Sequence, residues 1–292
     1  MAYRNSLEDD KPKLLYPEGV MFLFILFIVF LSAYLYIIRP AQEEKKKRKT
    51  YHKTSGPVEK VVQEVQYDHW LSKYNPYYNS LPAELKKRFI YRVRQFMGSK
   101  QFYFHAMVEE EYMPVLISAA AVQLTFGLRN YLMDYFDVIH VMRKEYVLNI
   151  DKETYYGHVS KNGIHISWNH FLGGYSDYGD SVNLGLHEMA HALQFDVVLG
   201  DEDLHDRSFY ERLNEFSEEG RPVFRAMRQG TSHLLSDYAC TNFDEFWAVS
   251  VETFFENPKE FKEKLPNLYR EMTELLNQDP LLPGKVVQGE LS

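Results

Sequence analysis

The stretch Leu186-His187-Glu188-Met189-Ala190-His191-Ala192-Leu193 constrains this chain more than any other feature of it. On an α-helix, residues four apart are separated by roughly 40° of rotation and about 6 Å of rise, so both imidazoles can reach one metal ion. Glu188 then points about 100° away from His187, where it can act on a metal-bound water without becoming a ligand. H-E-x-x-H on a helix is a zinc pattern in which the glutamate serves as general base. A charged helix with two solvated histidines is the competing reading. Under the zinc reading, the fold must bring a third His, Asp or Glu from elsewhere, because a catalytic zinc takes three protein ligands and keeps one position open.

Composition narrows the setting of that helix. With 292 residues, 45% of them hydrophobic and 15% aromatic, there is ample material for a packed core, so the chain is not of the disordered class. A formal charge of -8 excludes a general nucleic-acid binder, since no overall basic field attracts phosphates. Cys240 is the single cysteine. It can form no intrachain disulfide, fits a reducing compartment, and excludes a cysteine-based structural zinc site.

Residues 1–18 form a polar N-terminal tail, and the uncharged run from Val20 to Ile38 predicts a transmembrane helix over 19–38. A cleaved signal peptide is the alternative, but the run exceeds a normal apolar core and Tyr34-Leu35-Tyr36 offers no small-residue cleavage site. Arg39, Lys45, Lys46, Lys47, Arg48, Lys49 and Lys53 follow the run, against Arg4, Lys11 and Lys13 before it. The positive-inside rule then predicts a single-pass inner or plasma membrane protein whose large domain faces the cytoplasm. Residues 39–57 read as a basic linker, and 58–292 as the large soluble domain that carries the motif.

Within that domain the pattern is mainly helical. Leu85, Phe89, Val93 and Phe96 repeat at helical spacing after Leu81-Pro82, and a second helix is expected over Met113 to Phe126, its small residues Ser118 to Ala121 allowing close packing. Short β-rich runs at 138–142, 146–150 and 164–168 predict a small sheet. The segment 172–180, rich in Gly and Asp, reads as a loop before the motif helix, which runs from Ser181 or Asn183 to about Val198. Helices are expected again over 208–219, 221–229, 243–256 and 259–277, divided by Gly220, Gly230 and Pro258. The fold class is therefore α+β, mostly helical with a small β-sheet, preceded by one transmembrane helix.

For the third ligand the residues themselves offer Glu245. It lies near the start of an apolar helix, with Glu252 seven residues later on nearly the same face. A zinc ion is one partner for a buried carboxylate, and a surface salt bridge is the other reading. His205 and His233 are further ligand candidates without a motif around them.

The motif His187-Glu188-Met189-Ala190-His191-Ala192-Leu193, together with Tyr238-Ala239-Cys240-Thr241-Asn242-Phe243-Asp244-Glu245-Phe246-Trp247-Ala248-Val249, resembles the zinc-dependent peptidase family of the Mlc titration factor A. Leu81-Pro82, Ser99-Lys100-Gln101-Phe102, Ile117 to Ala121, Ile166-Ser167-Trp168 and Gln278-Asp279-Pro280 extend the likeness over about 67–282. The resemblance implies a zincin-like metallopeptidase domain related to the catalytic domain of anthrax lethal factor. It further implies one Zn2+ ion held by His187, His191 and Glu245, with Glu188 as general base and Tyr238 as a hydrogen-bond donor to the oxyanion. The implied reaction is hydrolysis of a peptide or protein substrate by a zinc-activated water, with aminopeptidase-like cleavage among the forms it can take. A binding module that sequesters a regulatory protein at the membrane is the second function the resemblance implies. Gln194 departs from the acidic residue usual at that position of the family motif, and the apolar run 19–38 departs from the common soluble pattern.

Overall fold

The computed structural model describes residues 57–147, 154–199, 207–231 and 234–283. The expected tail, membrane span and all but the last residue of the expected linker lie outside them. Helix α1 spans Pro57–Tyr74, α2 Pro76–Ser80 and α3 Ala83–Ser99, followed by strand β1, Gln101–His105, and helix α4, Tyr112–Thr125. On α3 the residues Phe89, Ile90, Val93 and Phe96 are buried, as the periodicity predicts. Helix α4 is buried from Met113 through Thr125, so its terminal carbonyls have no access to water and need protein donors. Arg92 Nη1 donates to Thr125 O at 3.1 Å and Phe126 O at 2.9 Å. Gln278 Nε2 donates to Gln123 O at 3.0 Å and Leu124 O at 2.8 Å, tying the end of the described domain to its most buried helix.

Strands β2 (Val138–Met142), β3 (Tyr146–Val147), β4 (Thr154–Tyr155), β5 (Gly157–Ser160) and β6 (Gly163–Ser167) come next. The main sheet has the order β1-β2-β6-β5; β1, β2 and β6 are parallel and β5 is antiparallel to β6. Side chains alternate between the two faces of a sheet. Phe102, Phe104, Ile139, Val141, Ile164 and Ile166 therefore share the face turned to the core, and the opposite face carries Tyr103, His105, His140, His165 and His158. The expected strands at 138–142 and 164–168 form here. Of the run 146–150 only Tyr146 and Val147 are described as a strand, paired with Thr154 and Tyr155. Strands β1 and β5 were not anticipated; β5 reads Gly-His-Val-Ser, which has no apolar alternation to reveal it.

Helix α5 (Trp168–Ser176) replaces most of the expected loop at 172–180. Gly174 stays helical because it packs against Asn183: a Cβ there would stand 3.0 Å from Asn183 Cα. The motif helix is α6, Leu184–Leu199. It crosses α4 closely, since a Cβ on Gly185 would meet Phe171 at 2.6 Å and Ala120 at 3.2 Å. Helix α7 (Arg207–Arg228) runs unbroken through Gly220 and Pro222, where two segments were expected. Gly220 is there for contact rather than termination: a Cβ would lie 2.8 Å from the Phe246 ring. Helices α8 (Phe243–Glu256), α9 (Pro258–Lys264) and α10 (Pro266–Leu276) complete the chain order. The single helix expected over 259–277 is divided at Pro266, which lacks the N–H needed to continue α9 and sits well in the first turn of α10.

The architecture is thus mostly helical α+β with a small sheet. The expectation of a single-pass membrane protein requires correction. Among the described residues no helix is long and apolar enough to cross a membrane. A span needs about 20 apolar residues; α4 is apolar but has 14, and α7 has 22 but is amphipathic and highly charged. The run 19–38 on which that location rested lies outside the described residues.

Candidate metal centre

The site is built on α6 and α8. Asn183 starts α6: its Oδ1 accepts from Leu186 N at 3.0 Å, and its carbonyl accepts from His187 N at 2.9 Å. That places His187 and His191 on consecutive turns of one face, with 3.2 Å between their Nε2 atoms. Asn242 starts α8 by accepting from both Asp244 N and Glu245 N at 2.9 Å, which fixes Glu245 in the first turn. Trp247 Nε1 donates to Ala190 O at 2.9 Å and sets the two helices against each other. The result is that Glu245 Oε2 lies 3.0 Å from His187 Nε2 and 3.4 Å from His191 Nε2.

This triangle fits a metal ion. With zinc-ligand bonds of about 2.0–2.2 Å, tetrahedral ligand atoms stand about 3.3–3.6 Å apart, close to the three separations here. Glu245 Oε2 is buried without a hydrogen-bond partner, which a shared cation satisfies and the two imidazoles do not. The opposite ring nitrogen of His187, Nδ1, lies 2.8 Å from Glu252 Oε1. An N–H donated there leaves the Nε2 lone pair directed into the triangle, the arrangement by which a carboxylate orients a metal-binding histidine.

Electrostatics favour a cation at the same point. Burial works against charge on His187, but its contacts to Glu245 and Glu252, and the nearby charges of Glu252 and Glu188, outweigh it and raise the pKa to about 10. Burial likewise opposes charge on Glu245, and the contacts to His187 and His191 overcome it, lowering the pKa to about 2. Glu188 differs. It is 3% exposed, Oε2 has no hydrogen-bond partner, and burial pushes its pKa up to about 8, with His187 opposing and Glu245 and Glu252 adding to the rise. Strand β5 covers this carboxylate so closely that a Cβ on Gly157 would lie 2.4 Å from Glu188 Oε1.

Tyr238 stands in the 3₁₀ turn Asp237–Cys240 with its ring centroid 5.8 Å from that of His187. It is 55% exposed, on the open side of the centre, and partial burial with the charges of Glu245 and Glu188 raises its phenol pKa to about 12. All five residues expected at the site are therefore brought together. His205 and His233 lie outside the described residues. The departure at Gln194 has a local account: its Nε2 donates to Asp244 Oδ1 at 2.8 Å, beside Glu245, where an acidic side chain would face a like charge.

Sequence reasoning placed Glu252 on the right face, with zinc or a salt bridge as its partner, but did not give it the orienting role; it offered Asn183, with Ser181, as the start of the motif helix, and it missed Gly157. The signal for Glu252 was present: it is a carboxylate inside a helix buried from Phe246 to Glu256. Glu252→Gln is expected to weaken metal affinity by about 10–100-fold, the usual effect of losing a histidine-orienting carboxylate, with the fold retained. Competition with a chromophoric chelator measures it.

The family model described as glucose-regulated metallopeptidase M90 matches residues 44–276. The chain belongs to this family. M90 is the family of the Mlc titration factor A, so the expected relationship holds. Such membership makes the chain a metallopeptidase by family, and the His187, His191 and Glu245 group is the kind of centre that class requires. An uncharacterized protein of Synechocystis sp., slr2042, is 23% identical over 234 residues, covering 73% of this chain and 85% of that protein.

Proposed function

We propose that this M90 protein is a zinc peptidase in which residues 58–292 form the catalytic domain and His187, His191 and Glu245 hold one Zn2+ ion. The observation that carries the proposal is the triangle of ligand atoms at 3.0, 3.2 and 3.4 Å beside a buried carboxylate with a partnerless oxygen. Zinc at this position supplies Lewis acidity toward a carbonyl oxygen and toward water.

The chain's own residues do the rest. Glu188 Oε2 takes the proton of the attacking water and passes it to the departing amine. The Tyr238 phenol keeps its proton through neutral pH and donates a hydrogen bond to the oxyanion that forms on the substrate. Glu252 holds His187 by Nδ1 so that its ring does not turn. Strand β5, last in the order of the four-stranded sheet, runs next to Glu188, where an extended peptide can align alongside it.

A role limited to sequestering a regulatory protein ranks second, because it gives no reason for a buried Glu188 whose Oε2 has no hydrogen-bond partner. Dialysis against a chelator is expected to abolish peptide cleavage, and one equivalent of Zn2+ to restore it. Cleavage that persists in metal-free protein, as read by elemental analysis of the same sample, would refute the reading.

A further inference from the structure

The sheet face turned away from the core carries a row of histidines that the peptidase site does not use. His140 on β2 is opposite His165 on β6, which is opposite His158 on β5. Their rings stack, with centroids 4.5 Å apart for His140 and His165 and 4.0 Å for His165 and His158. Tyr146 closes the inner end by a 2.6 Å contact between its hydroxyl and His158 Nδ1. At the outer end the geometry changes: His105 is tilted 41° to His140, and the contact is edge to edge, with His105 Nε2 3.0 Å from His140 Nδ1.

That outer pair has the features of a chelate. The His140 ring is held between Tyr103 on one side, at 5.6 Å and 28°, and His165 on the other, at 4.5 Å and 28°, so its rotation is fixed by packing. Its ring also makes a hydrogen bond with the backbone of Asn162. A backbone partner helps set the tautomer of a metal-binding histidine, and Nδ1 is the nitrogen turned toward His105. His105 is exposed and can carry its proton on Nδ1, which frees Nε2. The nitrogen separation of 3.0 Å resembles the 3.2 Å between the two histidines of the catalytic centre.

We propose that His105 and His140 form a second, surface site for an imidazole-preferring divalent transition metal, Zn2+ or more tightly Cu2+, with water completing the coordination. Two neutral nitrogens suit such ions and not Ca2+ or Mg2+, which require oxygen. The site is independent of the catalytic centre, which uses other residues on other elements.

Equilibrium dialysis of the full chain against Zn2+, with bound metal counted by elemental analysis, separates the two sites. Wild type is expected to take up a second, weaker equivalent. His105→Ala and, separately, His140→Asn are expected to weaken that equivalent by roughly tenfold or more while keeping the first. His191→Ala is expected to lose the first and keep the second. Because His105 is exposed, its replacement leaves the sheet intact, and an unchanged circular dichroism spectrum verifies this. Absence of a second equivalent in wild type overturns the proposal, as does its persistence in His105→Ala, which would place the ion on another surface histidine.

Discussion

Glu188→Gln is expected to retain one zinc ion per chain and to lower peptide cleavage by about 10²–10⁴-fold, the range that a positioned general base contributes. The amide keeps the size of the carboxylate but accepts no proton at neutral pH. Turnover within a few-fold of wild type, at equal metal content, would remove Glu188 as the base. A second readout is independent of substrate. The carboxyl of Glu188 has a folded-state pKa of about 8 in the metal-free chain against 4.5 for the free group. Its ionisation therefore opposes folding, and the metal-free protein loses stability as pH rises from about the unfolded value through the folded one. The neutral glutamine does not ionise, so metal-free Glu188→Gln should be more stable than metal-free wild type at pH 8, on the order of a few kcal/mol, and similar to it near pH 4. Urea denaturation at the two pH values tests the sign. In the metal-loaded enzyme, activity should fall on the acid side as Glu188 takes up a proton before water reaches it.

Glu245→Ala is expected to have the opposite profile, losing metal first and activity as a consequence. The replacement removes the only carboxylate of the triangle and leaves His187 and His191 to bind alone. Zinc affinity should fall by more than the roughly 10–100-fold expected for the orienting residue Glu252. Excess Zn2+ should then restore part of the cleavage, because Glu188 and Tyr238 remain in place. Zinc titration monitored by a competing chelator measures the change, and an affinity equal to wild type would exclude Glu245 as a ligand.

Much of the fold was legible because its signals are local. The helix over 83–99 and the strands at 138–142 and 163–167 follow hydrophobic periods that a short window contains. The errors fall where a glycine or proline has a tertiary role. Gly220 marks a close approach to Phe246 and not the end of a helix, and Gly174 packs against Asn183 inside a helix that reads as a loop. Strand β5 has one branched apolar residue and is held by pairing to β6, a contact that no local pattern reveals. The membrane location failed for a different reason: it rested on 19–38 alone, and among the described residues no helix has the length and apolarity of a span.

The H-E-x-x-H helix marks the same division within the site. A spacing of four residues on a 3.6-residue turn is enough to put His187 and His191 on one face, and the same periodicity put Glu245 and Glu252 on one face of α8. Those relations hold on any helix of this sequence, so the residues alone determined them. That the two faces meet, bringing Glu245 Oε2 to 3.0 Å from His187 Nε2 and Glu252 Oε1 to 2.8 Å from His187 Nδ1, was decided by tertiary packing. The Trp247 hydrogen bond to Ala190 sets α8 against α6, the absent side chain of Gly185 lets α6 approach Phe171 and Ala120 on its other neighbours, and strand β5 covers Glu188 at Gly157. Helical periodicity is a property of neighbouring residues, whereas the approach of two helices is set by close packing across the whole core.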